Sequence, residues 1–316
     1  MKKKFNIALS YEVGDQFLKE IKKRNLKKIF NFQLIKKDLS NFKKIMKESD
    51  VFITKYLDLP EKIYKISKRL KLIQIIIADY SKINLDNAKK FSVKVTNNEG
   101  ANSSSVAEHI IMFMIILYRN FLQQYGNLKK GIWNNLKEKN LELENKVIGI
   151  VGMGHIGAKL AIRANALGMK VIYYDIVRKK YLEKKLKIKF IKFKNLIKYS
   201  DVVSLNVSER LNNKNMVDKK IFNLMKKNSI IINTSRGSIL NENHLVDAIR
   251  KKKIAGAALD VFKNEPLNKN SNILKYQNII VTPHCGPSKE SYIRRCDIAF
   301  KNINRLFKNQ KIKTLT

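Results

Sequence analysis

Three side chains that lie far apart in the sequence, Arg236, Glu265 and His284, together offer the groups that handle a 2-hydroxy or 2-oxo acid. An arginine guanidinium is a planar fork that holds a carboxylate by two hydrogen bonds, which lysine does less well. An imidazole titrates near neutral pH, so it can protonate a carbonyl oxygen or take the proton of an alcohol. A neighbouring carboxylate holds the imidazole and favours its protonated form, which stabilises the alkoxide as a hydride arrives. We therefore predict that these residues catalyse hydride transfer beside a carboxylate.

Each of the three residues also has a structural interpretation. Arg236 would then pair with a surface acid, and a single histidine is more often structural, which is how we interpret His244. His284 is interpreted as functional because Arg236 and Glu265 accompany it. Its neighbour Cys285 is interpreted as a small filler rather than a nucleophile. The two cysteines of the chain indicate neither a disulfide framework nor a metal site.

The elements that must position these side chains are predicted strands that end at polar residues. Such strands cover residues 202–205, 230–232, 255–259 and 279–281. Arg236 follows the second of them, Asp260 the third and His284 the fourth. Ligands of an open parallel sheet bind beyond the carboxyl ends of its strands, so we expect the three side chains to line one edge of a sheet.

A glycine pattern predicts what carries the hydride. Residues 152–157, Gly-Met-Gly-His-Ile-Gly, join a predicted buried strand to a helix with an apolar stripe. We predict that Gly152 allows a sharp turn, that Gly154 lets the backbone approach a pyrophosphate and that Gly157 lets helix and sheet pack closely. The glycines alone would also fit an ordinary tight turn, but together with the strand and the helix they predict a dinucleotide site.

The residues around the glycines define which dinucleotide we expect. His155 and Ile156 open the predicted helix, whose N-terminal N–H groups and dipole favour phosphate. Asp175 ends the next predicted strand, where an acid accepts both hydroxyls of the adenosine ribose and repels a 2′-phosphate. We therefore predict NAD rather than NADP as the cofactor. Asp260 is expected to accept a hydrogen bond from the nicotinamide amide or ribose.

Strand and helix signals alternate through the first part of the chain, which indicates a parallel sheet with helices on both faces. Strands are predicted at 5–9, 51–54, 72–77 and 93–96, with helices near 15–24, 60–69 and 84–90. The last helix, 288–307, is expected to return to this sheet through Ile293, Ile298, Ile303, Leu306 and Phe307. The predicted fold class is therefore α/β, with one discontinuous domain at 1–99 and 286–316 and a cofactor-binding domain at 100–285.

A long apolar helix is predicted between the two domains. Ser105 and Glu108 have the spacing of a capping box, so Glu108 is interpreted as a helix cap, and His109 is expected to pack or to face a partner. Residues 119–143 look irregular and are predicted to form an arm over the surface or onto a second subunit. The apolar run of the helix is too short for a membrane span and no signal peptide is apparent, so we expect a cytoplasmic protein.

The net charge of +39, from 65 basic and 26 acidic residues, would ordinarily indicate nucleic acid or an anionic membrane as a partner. The lysines are spread along the whole chain, however, instead of clustering in an arm. Genome-wide codon bias acting on a solvated surface explains this pattern better than a binding patch does. We therefore expect neither partner; nucleic-acid binding would instead predict salt-sensitive retention on DNA or RNA.

The sequence resembles the D-isomer-specific 2-hydroxyacid dehydrogenases, the family of D-3-phosphoglycerate dehydrogenase, hydroxypyruvate and glyoxylate reductases, and formate dehydrogenase. The matching segments follow one another in the order 101–108, 152–157, 200–205, 233–237, 257–266 and 282–284. The resemblance implies two Rossmann-like domains, a flavodoxin-like substrate domain and an NAD-binding doubly wound parallel sheet, with the active site in the cleft between them. It also implies a homodimer formed through the nucleotide domain and its arm.

The resemblance also implies roles for single residues. Arg236, Glu265 and His284 form the catalytic set. Val207, Thr234 and Ser235 join the cofactor site, together with Gly152, Gly154, His155, Ile156, Gly157, Asp175, Arg236, Asp260 and His284. The substrate is expected to contact Ala78, Asp79, Asn102, Ser103 and Arg236.

One departure from the family concerns the substrate. The family usually has a glycine-rich loop whose N–H groups hold the substrate carboxylate, and residues 77–84 of this chain lack those glycines. If those positions need positive φ, the loop must have a different shape. Asp79 also places negative charge there, unless Lys82, Lys55 or Arg236 offsets it. The hydride chemistry is therefore predicted, but the identity of the acid is left open.

We predict an NAD-dependent D-2-hydroxyacid dehydrogenase or 2-oxoacid reductase, an oxidoreductase that acts on the CH–OH group of a small acid. The alternative substrate is 3-phosphoglycerate, with Lys55 as a conceivable phosphate ligand. A different alternative is a non-enzymatic NAD-sensing protein, because transcriptional corepressors use the same fold; peptide binding without turnover would support it. The complete set of Arg236, Glu265 and His284 favours the enzyme.

Overall fold

The computed structural model describes residues 4–133, 139–209 and 213–316. The chain folds as two compact units, of which the first contains Met1–Asn102 and Lys289–Thr316 and the second contains Ser103–Ser288. Both ends of the chain therefore contribute to the first unit. The predicted domain bounds, at 99/100 and 285/286, lie near the two points where the chain passes from one unit to the other.

The described part of the first unit contains a parallel sheet of five strands in the order β2-β1-β3-β4-β5. The strands are β1 (Phe5–Leu9), β2 (Phe30–Leu34), β3 (Val51–Thr54), β4 (Leu72–Ile75) and β5 (Lys94–Thr96). The helices are α1 (Gly14–Lys23), α2 (Phe42–Glu48), α3 (Glu61–Ile66), α4 (Leu85–Lys90) and α12 (Lys289–Phe307). This strand order is the flavodoxin-like one, and the α/β fold class predicted from the sequence is confirmed.

Two details of the first unit differ from the sequence prediction. The sequence prediction lacks β2 and α2. β2 is a sheet-edge strand that is only partly buried, which explains why it was not recognised. On α12, Ile303 and Leu306 are buried as expected, but Ile293 and Ile298 are only half-buried. Their expected place in the core is taken by Cys296, Ala299 and Phe300, which lie on the buried stripe of the helix.

The described part of the second unit contains a parallel sheet of seven strands in the order β12-β11-β10-β9-β6-β7-β8. The strands are β6 (Val147–Val151), β7 (Lys170–Tyr174), β8 (Lys189–Phe190), β9 (Val202–Leu205), β10 (Ile230–Asn233), β11 (Gly256–Leu259) and β12 (Ile279–Val281). The helices are α5 (Ser103–Tyr118), α6 (Phe121–Lys129), α7 (His155–Ala166), α8 (Lys180–Leu186), α9 (Phe193–Tyr199), α10 (Lys219–Phe222) and α11 (Glu242–Arg250). The strand order is that of a Rossmann sheet with one further strand, and it reverses between β6 and β9.

The start of α5 corrects the predicted capping box. The helix begins at Ser103, so Ser105 lies inside its first turn, where it is buried. Glu108 is no cap either: its Oε1 accepts a hydrogen bond of 2.7 Å from Nη2 of Arg163 on α7. The helix therefore begins almost one full turn earlier than a cap at Ser105 would place it. His109 packs edge-on against Phe113, with ring centroids 4.5 Å apart.

The segment expected to be irregular contains a helix. Within 119–143, residues Phe121–Lys129 form α6, and residues 134–138 lie outside the described part of the chain. No single helix in the described residues is long and apolar enough to cross a membrane. α5 and α6, which meet at a bend of 62°, would pass that test only as a pair, by length and composition.

Candidate active site

The glycine turn between β6 and α7 is shaped by two of its three glycines. Gly152 has a φ of 98°, and a Cβ on it would lie 2.6 Å from the carbonyl oxygen of Asn206. A Cβ on Gly157 would overlap the carbonyl oxygen of Gly152. A side chain at either position would therefore displace the backbone where strand and helix meet.

Gly154 differs from its neighbours because the protein itself does not need a glycine there. Its φ is −84°, and a Cβ on it would meet no atom within 4 Å. The space in front of Gly154 opens at the N-terminus of α7, where His155 is exposed and Ile156 is half-buried. A helix N-terminus with unpaired N–H groups and open space before it fits a pyrophosphate.

Asp175 lies directly after β7, which pairs in parallel with β6. Its Oδ2 accepts a hydrogen bond of 2.8 Å from the backbone N–H of Met153, inside the glycine turn. Its Oδ1 accepts another, of 3.1 Å, from the N–H of Val177. The carboxylate is therefore held beside the turn by two backbone donors.

The loop after β10 presents Arg236. The buried side chain of Asn233 donates from Nδ2 to the carbonyl oxygen of Arg236 at 2.9 Å. Its Oδ1 accepts from the N–H of Ser235 at 3.1 Å and from the hydroxyl at 2.8 Å. A Cβ on Gly237 would overlap the backbone of Phe262, so this glycine allows close packing rather than an unusual turn. The position of Arg236 is thus set by an amide that the sequence reading did not single out.

His284 and Glu265 form a hydrogen-bonded pair. Nδ1 of His284 lies 2.8 Å from Oε2 of Glu265, and the other carboxylate oxygen accepts from the N–H of Phe262 at 3.0 Å. The side chains keep 46% and 38% of their surface exposed, so the pair can be reached by a ligand. Because Nδ1 is engaged, Nε2 is the ring atom that can exchange a proton with a substrate.

Asp260, after β11, is buried and ties down the loop that carries His284. Its Oδ1 accepts from the hydroxyl of Thr282 at 2.5 Å and from the N–H of Cys285 at 2.9 Å, and its Oδ2 accepts from the N–H of Gly286 at 2.9 Å. Burial alone raises the pKa of Asp260, but these hydrogen bonds and one from His109 outweigh it, so the pKa is lowered. The contact of Asp260 with a cofactor stays a prediction; its own contacts position the loop.

Within the described residues, the side chains of two strand-end residues at this edge of the sheet each have a buried polar atom without a hydrogen-bond partner. The two atoms are Oγ1 of Thr234, after β10, and Oδ1 of Asn206, after β9. Buried polar atoms are nearly always satisfied, so an unsatisfied pair beside the strand-order reversal fits a polar ligand such as NAD. Thr234 was predicted as a cofactor residue. Asn206 was missed, although its place at a strand end was a usable signal.

The remaining predicted residues are divided between the two units. Val207 and Ser235 lie in the second unit, as does Ser103, the buried first residue of α5. Ala78, Asp79 and Asn102 lie in the first unit.

The loop after β4 contains Ala78 and Asp79. Oδ1 of Asp79 accepts from the N–H of Ser81 at 2.9 Å, and the carbonyl oxygen of Ala78 accepts from Nδ2 of Asn97 at 2.6 Å. No residue of 77–84 has a positive φ. This loop therefore takes a shape that ordinary side chains adopt, in place of the glycine-dependent shape that the family resemblance implied.

A group of potential metal ligands also lies in the described part of the second unit. Side-chain donor atoms of His109, Asp260 and Cys285 lie within 4.8 Å of one another. Nε2 of His109 already contacts the hydroxyl of Thr282 at 3.0 Å, and both oxygens of Asp260 accept hydrogen bonds. The geometry is explained by this hydrogen-bond network without an ion.

Known proteins resemble this chain in sequence and in fold. Residues 111–286 match the family profile described as D-isomer specific 2-hydroxyacid dehydrogenase, NAD binding domain. The chain is 36% identical over 236 residues to D-3-phosphoglycerate dehydrogenase of Escherichia coli, a match that covers 73% of this chain and 57% of that protein. It is 33% identical over 249 residues to glyoxylate reductase of Thermococcus litoralis, which covers 76% of this chain and 75% of that protein. The chain thus spans little more than half the length of the first of these relatives.

Solved structures share the fold along the whole chain. D-lactate dehydrogenase with NAD+ from Lactobacillus jensenii superposes with a TM-score of 0.86 at 26% identity and covers 99% of each chain. The NAD-complexed D-isomer specific 2-hydroxyacid dehydrogenase from Lactobacillus delbrueckii ssp. bulgaricus gives a TM-score of 0.85 at 24% identity and covers 98% of this chain and 99% of its own.

Proposed function

Because the chain belongs to the D-isomer specific 2-hydroxyacid dehydrogenase family, we propose that it transfers a hydride between NAD and a small 2-hydroxy or 2-oxo acid. The family and the cofactor are those that the sequence motifs predicted, and both predictions are confirmed. The observation that carries the proposal is the His284–Glu265 pair, which lies on the same sheet edge as Arg236 and the glycine turn.

The bound NAD supplies the hydride acceptor or donor, and the side chains supply the proton and the orientation. In the reducing direction, Nε2 of His284 donates a proton to the carbonyl oxygen as negative charge develops there. Glu265 holds Nδ1 at 2.8 Å and stabilises the imidazolium before the proton leaves. Arg236 holds the substrate carboxylate through its guanidinium. In the oxidising direction His284 takes the proton from the alcohol.

The residues of the second unit fit NAD in a definite arrangement. The open N-terminus of α7, with Gly154, His155 and Ile156, is assigned to the pyrophosphate. Asp175 is assigned to the adenosine ribose, which favours NAD over NADP. The unpartnered atoms of Thr234 and Asn206 are assigned to polar groups of the cofactor, and Val207, Ser235 and Asp260 stay among its proposed neighbours.

The substrate is assigned to the residues predicted from the family resemblance. Ala78, Asp79, Asn102, Ser103 and Arg236 are its proposed contacts. The two relatives carry the names of a phosphoglycerate dehydrogenase and a glyoxylate reductase, so a phosphorylated and an unphosphorylated acid are both candidates.

The second unit also carries an apolar surface that we assign to a second copy of the chain. Large apolar side chains are exposed on α5, on α6 and just after it: Met112, Ile115, Phe121, Leu122, Tyr125, Leu128, Ile132 and Trp133. A concentration of exposed apolar side chains on neighbouring elements is typical of protein interfaces. We propose that this surface is covered in a homodimer. We also propose that the protein is cytoplasmic. Sedimentation of the wild type as a dimer and of Leu128→Asp as a monomer is expected; a monomeric wild type would contradict the assignment.

The test of the proposed function is NADH oxidation with a panel of 2-oxo acids. Glyoxylate, pyruvate, hydroxypyruvate and phosphohydroxypyruvate are each offered with NADH and, separately, with NADPH. Turnover of at least one acid, faster with NADH, is expected. A protein that binds NADH but oxidises it with none of these acids would contradict the proposed activity.

A further inference from the structure

Arg295, on α12 of the first unit, is a half-buried cation without an acidic partner in the described part of the chain. Burial lowers the pKa of its guanidinium. Other arginines pair with carboxylates, namely Arg24, Arg69, Arg163, Arg178 and Arg250. Removing a charge from water without a counter-charge is unfavourable, so an anionic ligand would stabilise a guanidinium in this position.

The neighbours of Arg295 are themselves suited to an anion. Its guanidinium lies 5.6 Å from the ring centroid of Tyr292, and it interacts electrostatically with Tyr56. Nζ of Lys55 lies 5.0 Å from the ring centroid of Tyr56. We call Lys55, Tyr56, Tyr292 and Arg295 the Arg295 cluster. It combines a guanidinium fork, an ammonium group and the phenol of Tyr56, which are groups that bind carboxylates and phosphates, while Tyr292 packs beside the guanidinium.

The backbone at Arg295 is held firmly. Its carbonyl oxygen accepts from Nδ2 of Asn98 at 2.7 Å, and Oδ1 of Asn98 accepts from Nε2 of Gln74 at 2.9 Å. Oε1 of Gln74 in turn accepts from Nδ2 of Asn302, which lies about two turns beyond Arg295 on α12, at 3.0 Å. Because Gln74, Asn98 and Asn302 are buried, this network fixes the helix against the sheet and the guanidinium with it.

The Arg295 cluster lies at the functional edge of its sheet. The hydroxyl of Tyr292 donates to the carbonyl oxygen of Val13, just beyond β1, at 3.1 Å. Lys55 and Tyr56 follow β3 directly. The loop with Asp79 follows β4, which pairs in parallel with β3. The cluster therefore shares the carboxyl edge of the first unit with the residues assigned to the substrate.

Glu12, the acid that follows β1, forms no ion pair with Arg295 or Lys55 in the described part of the chain. Oε2 of Glu12 accepts from the N–H groups of Tyr56 at 2.9 Å and Leu57 at 2.7 Å, and from the hydroxyl of Thr54 at 3.3 Å. These hydrogen bonds hold the loop after β3 in place.

We propose that the Arg295 cluster binds a second anionic group of the substrate, so that the preferred substrate is a 2-oxo acid with a further carboxylate or a phosphate at its other end. This rests on the proposed function and names the substrate class within it. Arg295 is then the specificity-determining residue. The identity of the substrate depends on which second anionic group the Arg295 cluster binds.

The kinetic test uses pairs of acids that differ in the second charge. The pairs are 2-oxobutanoate and oxaloacetate, 2-oxopentanoate and 2-oxoglutarate, and hydroxypyruvate and phosphohydroxypyruvate, the last of which separates phosphate from carboxylate. Wild type is expected to favour at least one doubly anionic member. Arg295→Gln is expected to lower kcat/KM for that member by about 10- to 100-fold, mainly through KM. For the singly charged acid of the same pair, kcat/KM is expected to change by less than about twofold.

Two further variants sharpen the kinetic test. Arg295→Lys keeps the charge but loses the fork, so it is expected to recover part of the loss. Lys301→Gln removes a charge from an exposed position of the same helix and is expected to behave as wild type. Equal losses for both members of every pair in Arg295→Gln, or no preference in the wild type, would overturn the proposal.

A binding test separates the anion site from the enzymatic activity. Inorganic phosphate and malonate are added to the intact chain, and the thermal unfolding temperature is recorded. Stabilisation of wild type and Lys301→Gln, but not of Arg295→Gln, is expected. Equal stabilisation of all three, or none, would overturn the anion site even if the acids are turned over. Without any turnover the proposed function fails, and this measurement still decides whether the site exists.

Discussion

The two parallel sheets expose different carboxyl edges. In the second unit the polar groups of the edge are held by other protein groups: Asp175 by the N–H of Met153, the Arg236 loop by Asn233 and His284 by Glu265. In the first unit the edge carries a loop without the expected glycines and a cluster whose Arg295 has no acidic partner among the described residues.

The difference between the edges assigns different tasks to the two units. Groups that are already oriented need no reorganisation during a reaction, which is what hydride and proton transfer require. An edge that departs from the family pattern and keeps an unpaired charge is suited to choosing the substrate. We therefore propose that the chemistry is shared with the family, while the substrate preference depends on residues particular to this chain.

The largest effect is expected from substitutions at the carboxyl edge of the second unit, at the residues with proposed catalytic roles. His284→Ala removes the proton donor, so kcat is expected to fall by about 10²- to 10⁴-fold. Arg236→Ala is expected to lose most turnover as well, because the carboxylate is no longer oriented. NADH binding, followed by fluorescence titration, is expected to stay nearly intact in both.

The matched control for this experiment is His244→Ala. Nδ1 of His244 only accepts a hydrogen bond from the N–H of Lys219, at 3.2 Å. Its activity is expected to stay close to that of wild type. Full activity in either His284→Ala or Arg236→Ala would show that the catalytic roles are wrong.

A smaller effect is expected at the glycine that faces the cofactor. Because a Cβ on Gly154 meets no protein atom within 4 Å, Gly154→Ala is expected to fold as wild type. The added methyl group would lie where the pyrophosphate approaches, so NADH affinity is expected to fall by about tenfold or more. Gly126→Ala, on α6 and equally open, serves as the control with unchanged affinity. Unaltered NADH affinity in Gly154→Ala would contradict the assignment of the pyrophosphate to this position.

The smallest expected effect concerns Asp260, which supports the His284 loop. Asp260→Asn offers a single acceptor oxygen, so one buried N–H or hydroxyl loses its partner, at a cost of about 1–3 kcal/mol in the free energy of unfolding. The pKa of Asp260 is lowered on folding. Its contribution is therefore present above the pKa of the unfolded chain and is lost as the pH falls through the folded pKa.

Denaturant unfolding across pH measures this contribution. The difference in stability between wild type and Asp260→Asn is expected to be largest near neutral pH and to shrink in acid. A difference that grows as the pH falls would contradict the direction of the pKa shift.

The sequence predicted the second unit better than the first. Strands such as β10 and β12 are continuous apolar runs that end at polar residues, so their ends could be located directly. β2 mixes Asn31 and Gln33 with apolar residues at a partly exposed sheet edge, and β8 has only two residues, too few for a periodic pattern. A local sequence pattern indicates a strand that is buried on both faces, but it does not reveal a strand that pairs at the edge of a sheet.

For the candidate site, the sequence predicted the reactive groups but not all their supports. Arg236, Glu265 and His284 could be singled out because their side chains have distinctive chemistry, and their catalytic roles stay a prediction. Asn233 was missed as the residue that shapes the Arg236 loop, and Asn206 as an unpartnered amide, because an asparagine at a strand end is common in ordinary turns. Such roles depend on contacts between segments, which a sequence pattern does not contain.

The most direct test of hydride transfer follows an isotope. NADH deuterated on the nicotinamide ring is incubated with the protein and the best 2-oxo acid, and the product is analysed by mass spectrometry and chiral chromatography. The product is expected to be the D-2-hydroxy acid with deuterium on the carbon next to the carboxylate. An L product, or a product without that deuterium, would contradict direct hydride transfer at this site.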